Sequence, residues 1–159
     1  MRLASLVLSA LWIGGLAALG VVAAPQAFAV LEAHDPVAGR TLAGALFGVI
    51  LLKAQHYLWA IGAVQFLLIG ARAALGPRPR RFKWQLAVLA LMLAVTSYSA
   101  LVITPRIDQI RDTTTVTMAS LPPDNPIRRE FGMLHGLSNG LMLLAVGGAL
   151  FLFWADSKE

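Results

Sequence analysis

Four apolar runs, joined by short polar links, account for most of the chain between Leu3 and Trp154. They are Leu3–Ala24, Thr41–Ala74, Gln85–Ile103 and Phe131–Trp154. A helix rises 1.5 Å per residue and the hydrocarbon core of a bilayer is about 30 Å thick, so roughly 20 apolar residues cross it. The runs therefore predict an all-α polytopic membrane protein. It is a bundle of four transmembrane helices in a single domain, 1–159, with spans at about 3–25, 41–74, 84–104 and 127–154. Composition agrees: 58% of the 159 residues are hydrophobic and 13% charged, where a soluble domain carries about 25% charged residues.

The same composition excludes several functions. The chain has no cysteine, so disulfides, thiolate metal sites and cysteine nucleophiles are ruled out. The net charge of +5 does not point to nucleic acid, because most of the excess lies in one short link. No Gly-rich phosphate loop, zinc-protease helix or serine-nucleophile elbow is present. No activated nucleophile or carboxylate pair suggests an enzyme.

That basic link is Gly76–Lys83. Arg72, Arg78, Arg80, Arg81 and Lys83 have no acidic neighbours, and by the positive-inside rule the link is cytoplasmic. Both termini are then cytoplasmic as well, as expected of a multi-pass inner-membrane protein, and the lipid bilayer is its first partner. The first run resembles a signal peptide, with Arg2 before it and Ala27-Phe28-Ala29 after it. It is longer than an ordinary signal core of about 7–15 residues, so it is expected to be retained, with Pro25 kinking or ending it. The second run is too long for one upright span. Lys53-Ala-Gln-His56 interrupts it, so a full span begins near Leu52, and 41–51 form a turn-rich or tilted helical extension. Lys53 either snorkels to the interface or faces the bundle interior. The third run ends at Thr104-Pro-Arg-Ile-Asp108. Asn125-Pro126 reads as an N-cap with proline at the first helical position.

The fourth run opens with Phe131-Gly-Met-Leu-His-Gly-Leu-Ser-Asn-Gly-Leu141. On a helix, His135, Ser138, Asn139 and Met142 share one face. Gly136 and Gly140 form a G-x-x-x-G pair that allows another helix to approach closely. Polar groups in hydrocarbon need partners, so this face should point into the bundle. Under the expected topology His56 and His135 lie at similar depth, and the third span brings Arg106 and Asp108 to that level. These residues outline an outward-facing polar site of Lys53, His56, Arg106, Asp108, His135, Ser138 and Asn139.

Three readings of that site stand side by side. It is a pocket that binds or passes a small polar or cationic species, in a binding or transport-related component. It is a haem b or copper centre with His56 and His135 as ligands, in a redox protein. Or it is a satisfied hydrogen-bond network that fixes helix register, with Arg106–Asp108 as a rim ion pair, in a structural subunit, a homo-oligomer or a larger membrane complex.

Trp12-Ile-Gly-Gly-Leu16 with its Pro25-x-x-Phe28 exit, Ala38-Gly39, Thr104-Pro-Arg-Ile-Asp108 and Phe131-x-x-x-His-Gly-Leu-Ser138 together resemble bacterial four-helix membrane proteins of unknown function. These are similar to the transmembrane protein 205 type. More distantly, the Trp-x-Gly-Gly opening looks like copper-resistance D proteins and haem-binding protoporphyrinogen oxidases. The resemblance implies four transmembrane helices and no assigned chemistry. Lys53-Ala-Gln-His56 departs from the family's pattern.

Overall fold

The computed structural model of the chain describes residues 1–158 apart from 37, 77–79, 115 and 117, and the side chain of residue 119 is not described. Arg78 of the basic link lies outside the described residues. Four long helices form the molecule: α1 Arg2–His34, α2 Gly39–Leu75, α3 Phe82–Thr113 and α4 Pro126–Ser157. A short 3₁₀ turn, Met118–Ser120, lies in the longest link. Among the described residues there is no strand. Each helix is long and apolar enough to cross a bilayer, which is the architecture the apolar runs predict.

The helices are longer than those runs. At 1.5 Å per residue they measure roughly 50 Å, well beyond the hydrocarbon thickness. Of the two expectations for 41–51, a turn-rich stretch or a helical extension, the helical one is found: α2 is one helix of 37 residues, without interruption at Lys53–His56. Nothing at Lys53 or His56 breaks α-geometry, and their neighbours are strong helix formers. Likewise α1 continues past Pro25 and α3 past Pro105.

Both prolines are accommodated by the same device. A proline inside a helix removes a hydrogen bond, and its ring presses on the carbonyl four residues back. Here those carbonyls belong to Val21 and Leu101. Each lies in a stretch of wider π-type turns, Ala18–Ala23 in α1 and Ser99–Ile103 in α3. A π turn carries more residues than an α turn and opens room for the ring. In α3 the Thr104 hydroxyl also donates to the Ser99 carbonyl at 3.0 Å. The helices bend their registers here and do not stop.

The helices pack in a ring, with α1 against α2 and α4, and α3 against α2 and α4. The apolar core gathers Trp12, Leu16, Leu58, Ile69, Leu89, Met92 and Leu152. Glycines allow two of the closest approaches. A Cβ on Gly62 would stand 2.5 Å from Leu93 Cδ2, and one on Gly148 would stand 2.7 Å from Met92 Cγ. The α1–α2 link is tighter still. The Ala38 amide bonds the Asp35 side chain at 2.9 Å, and a Cβ on Gly39 would lie 2.0 Å from the Leu31 carbonyl oxygen. At the start of α4, the Asn125 side chain accepts from the amides of Ile127 and Arg128, with Pro126 following it. This is the cap the sequence predicts.

The distribution of polarity is inverted relative to a soluble protein. Large apolar side chains such as Leu3, Val21, Leu67 and Leu143 face outward, whereas Ser5, Gln55, Gln65, Gln85 and Asp156 are buried. That arrangement suits a bundle with hydrocarbon as its solvent. The Gly136 and Gly140 face of α4 was expected to receive a neighbouring helix. Both glycines have nothing within 4 Å of a notional Cβ, so within this chain that face is open.

Candidate functional site

Polar side chains gather at both ends of the bundle. At the end holding the termini and the basic link, Asp156 of α4 is 1% exposed. Its carboxylate accepts from Ser5 of α1, from Arg72 of α2 and from Gln85 of α3. Arg2 reaches across to the backbone carbonyls of Asp156 and Ser157, both at 2.8 Å. One carboxylate thus joins all four helices. One step deeper, Gln65 donates to Ser9 at 2.8 Å. In the sequence Arg72 reads as a topology signal and Asp156 belongs to no expected site, so this network was not foreseen. A spacing signal was available: Gln55, Leu58, Gly62, Gln65, Ile69 and Arg72 fall at i, i+3, i+7, i+10, i+14 and i+17, one helical face.

At the other end the bundle opens. Near the midpoints of the two helices α1 still meets α4, and a Cβ on Gly20 would stand 3.2 Å from Met142 Cε. Beyond that level α1 packs on α2 and leaves α4. Between them lies an inner chamber of about 340 Å³. Its walls are largely apolar, with Leu16, Phe28, Phe47, Leu58 and Met142 among them. A polar edge is built from Gln55 of α2, Thr96 and Ser99 of α3, and His135, Ser138 and Asn139 of α4. Ser99 and Ser138 face each other at 3.4 Å. The wide turn in α1 makes this wall possible. Leu16, Gly20, Ala24 and Phe28 all line the chamber at steps of four residues, a spacing that drifts round a regular 3.6-residue helix.

A second cavity of about 230 Å³ lies above the first, lined by Arg40, Thr41, Arg111, Thr114 and Phe131 among others. Phe28 and His135 line both cavities, so the two adjoin. The His135 ring stacks on Phe131 with centroids 6.2 Å apart. His135 and Asn139 are also exposed, which places the mouth of the chamber at the gap between α1 and α4.

Of the seven residues expected to form one site, three meet in the chamber: His135, Ser138 and Asn139. The other four stand elsewhere. Lys53 and His56 are exposed on the outer face of α2, and His56 Nδ1 bonds its own helix at the Leu52 carbonyl, 2.7 Å away. Helical phase explains the difference, because Gln55, not its neighbour His56, falls on the inward face. Arg106 and Asp108 do not pair with each other. Arg106 bonds Glu130 of α4 at 2.7 Å, and Asp108 accepts from Arg111 at 3.3 Å. The wide turn before Pro105 rotates both residues relative to a regular 3.6-residue helix. His56 and His135, the candidate haem or copper ligands, are not brought to one cavity. Among the described residues, no three His, Asp or Glu side chains are grouped to hold a metal ion.

Comparison with known proteins returns one match, to the family described as domain of unknown function DUF4149, over residues 7–115. No curated protein and no solved structure matches the chain. The finding supports an uncharacterised membrane family, and no relative links the chain by name to the transmembrane protein 205 type or to copper-resistance D proteins. The matched span carries α1, α2 and α3, including Gln55, Thr96 and Ser99 of the chamber, and it covers well over half of the sequence: the chain belongs to the DUF4149 family.

Proposed function

We propose that this integral membrane protein is a binding or transport-related component. Its inner chamber holds a small molecule with a mostly apolar body and a hydrogen-bonding group. The basic link and termini face the cytoplasm in this reading, so the chamber lies in the outer half of the inner membrane. The observation that carries the proposal is Gln55. It is 3% exposed and lines the chamber, and its Oε1 has no hydrogen-bond partner among the described residues. A buried acceptor left unpaired costs about 1–3 kcal/mol. A ligand donor at that position recovers the loss, and Ser99, Ser138 and Asn139 supply further contacts on the same edge. Small-molecule sites have this character, mostly apolar walls with a few convergent polar groups.

Native mass spectrometry in mild detergent tests the reading. The wild type is expected to carry a bound small molecule, and Ser138→Phe, which fills the chamber, is expected to lose it. An adduct retained at full occupancy in Ser138→Phe overturns the proposal. An absorbance spectrum of the same sample tests the haem or copper reading separately.

A further inference from the structure

We propose that the ligand is an anionic amphiphile, its acidic head held by Arg111 and Arg40 in the upper cavity and its apolar body lying in the inner chamber. This rests on the chamber being a binding site and adds the class of molecule bound. The first observation is that the two cavities adjoin, since Phe28 and His135 are walls of both. The second is the sign of the lining charge. Among the described residues, the inner chamber has no charged wall residue, and the upper cavity has two arginines and no carboxylate. The carboxylates that pair with these arginines, Asp108 and Glu32, are not among the described lining residues.

The third observation is how Arg111 is held. It comes from the polar end of α3 and lies over the glycine face of α2. A Cβ on Gly44 would stand 3.0 Å from its Nη2, and one on Gly48 would stand 3.4 Å from its Nη1. Its guanidinium also sits 5.7 Å from the centre of the Phe131 ring. Only 22% of the side chain is exposed, and its partner Asp108 is bonded at a long 3.3 Å. Arg111 is a wall residue of the cavity, and its planar guanidinium fork suits a phosphate or carboxylate. Arg40 is more exposed and pairs loosely with Glu32 at 3.7 Å, so it adds charge at the rim.

The test is a head-group series at constant chain length, read as thermal midpoint in a neutral detergent. Dodecyl phosphate, dodecanol, dodecyltrimethylammonium and inorganic phosphate are each added to the wild-type protein. Dodecyl phosphate is expected to raise the midpoint by roughly 5–10 °C when present at about a hundred times its dissociation constant. Dodecanol is expected to give a smaller rise, and the ammonium compound and inorganic phosphate none. In Arg111→Gln the advantage of dodecyl phosphate over dodecanol is expected to disappear, while Arg111→Lys keeps part of it. Equal shifts from dodecanol and dodecyl phosphate overturn the anionic assignment and leave the chamber as a binding site. A shift from inorganic phosphate equal to that from dodecyl phosphate overturns the amphiphile and leaves an anion site. No shift from any compound overturns both this inference and the reading on which it rests. The series in the wild type decides the matter even if the Arg111→Gln protein does not fold.

Discussion

Arg72 of α2 holds the Asp156 carboxylate of α4 at 2.5 Å, with Asp156 almost fully enclosed. Removing one partner of a buried pair leaves a charge without compensation and typically costs about 3–5 kcal/mol. Asp156→Asn and Arg72→Gln are each expected to lower the thermal midpoint sharply in detergent. The double change Arg72→Leu with Asp156→Leu is expected to recover much of the loss, since apolar replacement of both charges is often neutral or better. Strictly additive losses in that double-mutant cycle would show that the two residues act independently.

The glycines separate into two classes with opposite expected responses. A methyl on Gly39 collides with the Leu31 carbonyl, whereas one on Gly140 meets nothing within 4 Å. Gly39→Ala should therefore destabilise the protein by at least the ~1–3 kcal/mol of an overpacked site. Gly140→Ala should stay within about 0.5 kcal/mol of the wild type. Midpoints measured side by side decide this, and a large loss at Gly140 would mean that its face is covered by a partner.

Gln55→Leu removes a buried acceptor that has no partner, so it should raise stability by up to about 1–3 kcal/mol in protein freed of ligand. The same change should weaken retention of the bound molecule. Loss of stability together with unchanged retention would place the hydrogen bond of Gln55 inside the protein and not on a ligand.

The proposed orientation rests on charge. A cysteine placed at Ser120 should react with an impermeant thiol reagent added outside intact cells, and one placed at Gly76 should not. The reverse pattern would invert the bundle and put the chamber in the cytoplasmic half.

The four helices and the Asn125-Pro126 cap were legible because they depend on local signals: run length, a capping residue and a proline. The chamber was legible only in part. His135, Ser138 and Asn139 stand on a regular stretch of α4, so their helical spacing was reliable. Arg106 and Asp108 were placed by depth alone, and depth does not show that their partners are Glu130 and Arg111. His56 attracted attention by its chemistry, yet Gln55 beside it has the inward phase. Asp156 was missed because a carboxylate three residues from the end of a chain reads as solvated, and its partners on three other helices are distant in sequence.

If the proposed function holds, the divergence of α1 from α4 beyond Gly20 decides how the chamber is supplied. Its mouth, marked by His135 and Asn139, is a slot in the side of the bundle and not a pore at its end. A molecule that enters there has first to dissolve in the membrane. Its local concentration is then set by its partition coefficient and by the amount of lipid present. Dilution of the surrounding water matters much less. Apparent affinities measured for this protein should therefore fall as lipid or detergent is added at constant total ligand, and should agree across preparations only when ligand is counted per mole of amphiphile.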